Sequence, residues 1–207
     1  MLDFKKEFKN LYQPGTTPSI VDVPEMTFIM VDGKGDPNTS EEYAKAVELL
    51  YGLSYTIKMS NKAILEYVVP PLEGFWNIAD KEFKGGGAPV PDKNKFEWTM
   101  MIRQPDFVTA EIFQSAVTAL KKKKPELDVS KARLEKLTEG LCVQVMHIGS
   151  YDSEPSTIIA LDRFAAENGY EADMSEGRRH HEIYISDPRK VPPEKLKTVI
   201  RHPVKKT

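Results

Sequence analysis

The chain has 207 residues, with 29 Lys+Arg against 31 Asp+Glu and a formal net charge of −2. A single compact unit of this length buries roughly 70% of its unfolded surface, so it needs neither disulfide nor metal to hold a core. Near-neutrality argues against a dedicated nucleic-acid binder, whose affinity comes from phosphate neutralisation. With 40% hydrophobic and 29% charged residues, the composition is that of a soluble globule. Nine Phe, eight Tyr and two Trp are what this arithmetic leaves open.

The one cysteine, Cys142, excludes an internal disulfide and, inside LCVQVM, reads as a buried inert thiol. The first residues lack the uninterrupted apolar core of a signal peptide. No apolar stretch approaches the roughly 20 residues that span a bilayer. The expectation is a soluble, cytoplasmic protein.

In chain order, residues 1–18 are polar and read as an extended lead-in. Residues 20–23 and 26–31 read as strands separated by Pro24, followed by a turn at Gly33 and Gly35. Thr39 and Glu42 have capping-box spacing, and Tyr43, Ala46, Val47 and Leu50 predict a helix to about Gly52. Residues 64–78 are apolar and aromatic, but Pro70 and Pro71 forbid a helix, which leaves two short strand pieces with a bend. Residues 84–95 read as a loop, 96–103 as a strand and 106–124 as a helix closed by four lysines and Pro125. A short helix is expected over 130–139, a strand over 141–147, a turn at 149–151 and a helix over 153–168. Strands are expected at 180–186 and from about 197 to 202.

The order strand, Gly-containing turn, capped helix and two strands occurs twice. FIMVDGKGDPNTSEEYAKAVELLYG in the first half answers VQVMHIGSYDSEPSTIIALDRFAAENG in the second. Duplicated β-α-β-β modules, about 19–125 and about 126–204, imply one α+β domain with antiparallel sheets. A pseudo-twofold between them creates a cleft suited to a small ligand.

RRHHEIYISDPRK is the most unusual segment. Strand alternation puts His181, Ile183 and Ile185 on one face, the natural core face against helices. His180, Glu182 and Tyr184 share the other, so a carboxylate sits between an imidazole and a phenol. Two readings stand: a solvated sheet face, or a cleft floor where apolar walls raise the pKa of Glu182 and make it a better base. Adjacent His180 and His181 point apart and cannot chelate one metal, and His147 and His202 show no ligand spacing, so no metal site is expected. Tyr67, Phe75 and Trp76, then Trp98, Tyr151 and Tyr184, form an aromatic constellation around that carboxylate. Faces of this kind stack on flat or cationic ligands. Phe75 also fits an aromatic core, and Trp98 fits core packing equally well. No nucleophile elbow or P-loop is present, and no cofactor is expected.

The segments FIMVDGKGDPN, EYVVPPLEGFW, MIRQPDFVT, HIGSYDSEPSTI and HHEIYISDPRKVPPEKLKTVIRHPV, covering about residues 19–204, resemble the GyrI-like small-molecule-binding proteins. That module is also the effector domain of multidrug-sensing transcription regulators. The resemblance implies two β-α-β-β modules facing across a ligand cleft, with a floor glutamate that Glu182 matches. EYVVPPLEGFW and MIRQPDFVT are similar to the subfamily of cyclopropanoid cyclopropyl hydrolases, in which an aromatic cage opens the cyclopropane of DNA-alkylating natural products. Trp76 and Tyr67 match that pattern; Trp98, Tyr151 and Tyr184 extend it by position. The resemblance thus implies a detoxifying hydrolase with Glu182 and Tyr184 as catalytic groups. The alternatives are a drug sponge or sensor without turnover, or a gyrase-interacting inhibitor. Expected partners are small hydrophobic or aromatic molecules, with no direct nucleic acid and no membrane; the oligomeric state is open.

Overall fold

The computed structural model describes residues 1–78, 92–175 and 177–207. Its strands are β1 (Ser19–Val23), β2 (Met26–Lys34), β3 (Leu72–Ile78), β4 (Phe96–Gln104), β5 (Ala132–Leu137), β6 (Gly140–Ile148), β7 (Tyr170–Ala172), β8 (His180–Tyr184) and β9 (Lys197–Lys206). The helices are α1 (Phe4–Glu7), α2 (Lys9–Tyr12), α3 (Glu41–Ser60), α4 (Ala110–Lys123) and α5 (Glu154–Glu167). Among the described residues no helix is long and apolar enough to cross a membrane.

The strands form one antiparallel sheet in the order β1-β6-β9-β8-β3-β4-β2-β5, with β7 paired separately to β9. The duplication is visible in that order. β2-α3-β3-β4 and β6-α5-β8-β9 each arrange their strands as first, third, second, and the halves meet where β3 pairs with β8. This is the predicted α+β architecture with a pseudo-twofold at the sheet centre. The lead strands change sides: β1 precedes β2 yet pairs with β6, and β5 precedes β6 yet pairs with β2.

Helix α3 outruns its predicted end at Gly52, because Leu53 and Ile57 continue its apolar face and are fully buried. A mid-helix glycine costs about 1 kcal/mol, whereas each such buried side chain returns about 1.5–3 kcal/mol. Its N-cap is Ser40, which accepts from the Tyr43 N–H, rather than Thr39. Residues 64–71 carry one isolated bridge, Leu2 to Tyr67, instead of a strand piece. The predicted loop at 84–95 falls outside the described residues up to position 91, and Lys93–Lys95 is a single 3-10 turn.

The helix expected over 130–139 is instead the strand β5. Ala132 and Leu134 pack on the first-half core, while Arg133 pairs with Asp32 at 2.7 Å and Lys136 with Glu25 at 3.0 Å. Charges of this kind suit a sheet edge. Pairing with β2 overrides the helical appearance of ARLEKL.

Helices α3, α4 and α5 cover one sheet face. Under α3 and α4 lie Ile29, Val31, Trp98, Met100 and Ile102; under α5 lie Val143, Val145, Ile200 and Val204. The opposite face is covered by the N-terminal residues, which are two short helical turns rather than an extended lead-in. Phe4, Leu11 and Tyr12 are buried there against Phe28, Met101, Phe75, Ile183 and Val199. The Ile183 face of β8 is therefore a core face, but its cover is the chain's beginning and the segment around Tyr67, not the long helices.

That second face holds a buried ionic network. His181 Nδ1 and Arg201 Nη1 each lie 2.9 Å from Glu139 Oε1, and His181 Nε2 lies 2.9 Å from Glu73 Oε2. Arg201 also donates to the Leu11 carbonyl at 2.9 Å, tying the N-terminal cover to β9. Burial opposes the His181 charge, yet Glu139 and Glu73 raise its pKa to about 9.

Candidate functional site

The helices over one sheet face leave the central strands, β8 and β3, at the junction of the halves. Antiparallel register sets Glu182 opposite Gly74 on one side and Ile200 on the other. Alternation on β8 then presents His180, Glu182 and Tyr184 toward the helix side. Trp76 on β3 shares that face. Its indole folds back over Gly74, where a Cβ would lie 3.0 Å from Trp76 Nε1 and 2.9 Å from Met100 Sδ. Glycine at position 74 is what lets the indole reach the centre of the site.

The carboxylate of Glu182 is heavily bonded. The Tyr184 hydroxyl donates to Glu182 Oε2 at 2.7 Å and accepts from Trp76 Nε1 at 2.9 Å. His180 Nε2 lies 2.8 Å from Glu182 Oε1. Glu154, the first residue of α5, faces Glu182 within hydrogen-bond reach and is buried. The predicted rise in the Glu182 pKa is not what this environment produces. Burial does push upward, but the bonds from His180, Tyr184 and Glu154 outweigh it and hold the carboxyl below its usual value. Burial and the Glu182 charge push Glu154 well above the carboxylate range. Two adjacent carboxyls cannot both ionise, so the pair separates into an ionised Glu182 and a proton-bearing Glu154.

Aromatic rings enclose these groups. Tyr43 of α3 stacks on Trp76 with ring centroids 6.2 Å apart, and Phe96 meets Trp76 edge-on at 5.9 Å. Tyr151 meets Tyr184 edge-on at 5.9 Å and is 38% exposed, forming the rim. Burial raises the Tyr151 hydroxyl to about 12, so it stays protonated. His147 pins the turn that presents Tyr151, bridging Thr157 Oγ1 at 2.8 Å and the Ser150 carbonyl at 3.1 Å.

The structure thus brings Glu182, Tyr184, Trp76 and Tyr151 together. Trp98 lies on the same face but is only 1% exposed. It packs across Gly33 of the neighbouring strand and edge-on to Tyr43 at 5.3 Å, so it supports Tyr43 from below. Tyr67 and Phe75 lie on the other sheet face. Phe75 neighbours Trp76 in a strand and so must point away from it; its ring meets His181 at 4.7 Å. Tyr67 is buried edge-on to Phe107 at 6.2 Å, beneath the N-terminal segment. Neither touches the Glu182 cleft, and both are core.

Sequence reasoning missed Tyr43, Phe96, Glu154 and the partners of His180. His180 Nδ1 lies 2.7 Å from His202 Nε2, and His202 Nδ1 lies 2.7 Å from Asp162 Oδ1 on α5. Tyr43 was visible as part of a helical apolar stripe, and Glu154 as an acidic first-turn residue. Neither pattern distinguishes a site residue from ordinary packing or helix-dipole complementation. Among the described residues no group of three or more His, Cys, Asp or Glu side chains is placed to hold a metal ion.

Comparison with known proteins agrees with this architecture. No curated protein matches the chain significantly. An uncharacterized conserved protein from Listeria innocua is 46% identical, with 99% of this chain and 100% of that one aligned and a TM-score of 0.91. A protein described as a hydrolase from Listeria innocua is 44% identical over 99% and 100% of the two chains, with a TM-score of 0.88. The C-terminal domain of EcmrR shares the fold at 18% identity, over 92% of this chain and 98% of that one, with a TM-score of 0.55. The GyrI-like small molecule binding domain matches residues 93–205. The chain belongs to the family of GyrI-like small-molecule-binding domains.

Proposed function

We propose that this protein detoxifies flat aromatic, DNA-alkylating compounds by hydrolytic opening of a strained cyclopropane ring in the cleft over Glu182. The observation that carries the reading is the pairing of an ionised, oriented carboxylate with an aromatic enclosure of Trp76, Tyr43, Tyr184 and Tyr151. Similarity to the Listeria innocua protein described as a hydrolase supports it. A flat ligand admitted at the Tyr151 rim stacks on Trp76 and displaces bulk water.

In the reaction, the water oxygen bonds to a ring carbon while Glu182 orients the water and accepts its proton. The strained carbon–carbon bond breaks, and its electron pair passes into the conjugated system, whose oxygen gains a proton. The hydrogen of Tyr184 is committed to Glu182 Oε2, so Tyr184 positions the carboxylate and Tyr151 is the phenol free to serve the developing oxyanion. Preorganised donors are often the largest catalytic contribution. A carboxylate with lowered pKa is a weak base, which suits a reaction driven by the substrate's own strain.

A second reading has a specific observation in its favour. The same bonds that lower the Glu182 pKa suit a fixed counter-charge, so a binding module without turnover would use this cleft for a cationic aromatic ligand. Incubation with a cyclopropane-containing alkylator, followed by mass spectrometry of ring-opened product, separates the two. Product in excess of the buffer reaction supports the hydrolase. Saturable one-to-one binding without product selects the binding module.

A further inference from the structure

The Glu182 carboxylate is one end of an unbroken line of hydrogen bonds that crosses the second half of the sheet. His180 Nε2 lies 2.8 Å from Glu182 Oε1, His180 Nδ1 lies 2.7 Å from His202 Nε2, and His202 Nδ1 lies 2.7 Å from Asp162 Oδ1. The inner end is enclosed: the side chain of Glu182 is 13% exposed and that of His202 is 6%. The outer end is open, because the Asp162 side chain on α5 is 52% exposed. Both ring nitrogens of both histidines are engaged, which is more than orienting a carboxylate requires.

The three gaps in this line need three protons, and two neutral imidazoles supply two. One further proton is therefore held within the line. Burial lowers the His202 pKa, with Asp162 opposing, so His202 is the neutral ring. It then donates from Nδ1 to Asp162 and accepts at Nε2 from His180 Nδ1. The third proton lies in the 2.8 Å gap between His180 Nε2 and Glu182 Oε1. The other ionisable groups facing this end are Tyr184 on β8, Glu154 on α5, Tyr43 on α3 and Tyr151 at the rim.

We propose that Glu182, His180, His202 and Asp162 form a proton relay that connects the cleft carboxylate to solvent at the exposed Asp162 of α5, independently of the cleft mouth. It rests on the reading of Glu182 as the proton-accepting group and explains how that group takes up a proton beneath a bound ligand without a change in the charge of the site. When Glu182 takes a proton from water, the hydrogen between His180 Nε2 and Glu182 Oε1 stays in place. The Nδ1 hydrogen of His180 passes to His202 Nε2, and the Nδ1 hydrogen of His202 passes to Asp162 and on to solvent. Glu182 then gives its new proton to the oxygen of the opened ring, Asp162 takes one proton back from solvent, and the two imidazole hydrogens return, so the line ends as it began. His180, His202 and Asp162 are positioning and transfer groups, since none touches the reacting atoms.

The test is hydrogen exchange at the imidazole nitrogens, read by 15N NMR on the free protein in wild type, Asp162→Asn and His202→Gln. Asp162 is largely exposed, so its replacement leaves the fold intact. Asparagine still occupies the site but cannot take and release a proton. The relay predicts that exchange of the hydrogen bridging the two imidazoles slows in Asp162→Asn, by up to about a hundredfold, the lower end of what a positioned acid–base group contributes. A merely structural role predicts the opposite sign, because loosening the packing speeds exchange. Unchanged or faster exchange in Asp162→Asn overturns the proposal. In His202→Gln the hydrogens of His180 are predicted to exchange more slowly too, and unchanged or faster exchange in a folded variant also overturns it. Turnover provides the separate arm: in Asp162→Asn, kcat falls with KM unchanged and recovers on addition of free imidazole buffer. Slowed exchange in a protein that turns nothing over leaves the relay standing and removes the hydrolase reading.

Discussion

Replacing His181 by glutamine perturbs the buried network beneath the site strand, and the structure gives the direction and size of the effect. The ring is fully buried between Glu139 and Glu73, and those carboxylates hold its pKa at about 9 against an ordinary value of 6.5. A folded-state pKa above the unfolded value means the folded chain binds the proton more tightly. The stabilisation is therefore complete below pH 6.5, shrinks as pH rises and is gone above about 9. At about 1.4 kcal/mol per pKa unit, the interval is worth about 3 kcal/mol. Glu139, held at about 2 by His181 and Arg201 against the opposing effect of burial, stays ionised throughout this window. Urea unfolding between pH 6.5 and 9 measures it directly. The wild type is expected to lose about 3 kcal/mol across the window, and His181→Gln, less stable at pH 6.5, is expected to lose little. A flat wild-type profile, or the same slope in His181→Gln, refutes the assignment of the charge to this histidine.

The remaining predictions concern the helix side of the sheet. Gly33→Ala puts a methyl group 2.1 Å from the Trp98 ring, so it should cost about 1–3 kcal/mol, visible as a lowered melting temperature. Tyr184→Phe strands Trp76 Nε1 and Glu182 Oε2; a loss of about 1–3 kcal/mol and an upward shift of the Glu182 pKa by carboxyl 13C NMR are expected. A flat aromatic alkylator should quench the fluorescence of Trp98→Phe, which keeps Trp76, far more than that of Trp76→Phe, which keeps only the buried Trp98.

The central strand was legible because its signal is local. Alternation alone separates His180, Glu182 and Tyr184 from His181 and Ile183, and the repeated strand–turn–helix order announces the two halves. The same alternation separates Phe75 from Trp76, whose indole reaches the carboxylate through the Tyr184 hydroxyl. Tyr67 was misplaced for a non-local reason: whether an apolar segment faces the cleft or the far side depends on what covers that side. The cover is built from Phe4, Leu11 and Tyr12, which look unremarkable in a polar lead-in. Residues 132–137 misled similarly, since the edge of β2 rather than their own composition makes them a strand. Glu154 and His202 join the site only through the packing of α5 on β9, a contact between segments that sequence spacing does not encode.

The most direct test of the account compares wild type and Glu182→Gln with one cyclopropane-containing alkylator, measuring dissociation constant and turnover on the same samples. Glutamine keeps the shape and can accept the hydrogen bond of Tyr184, but it cannot take a proton from water. The account predicts nearly unchanged binding and a loss of turnover of about 10²- to 10⁴-fold, the usual contribution of a general base. Full turnover in Glu182→Gln with binding intact would contradict it.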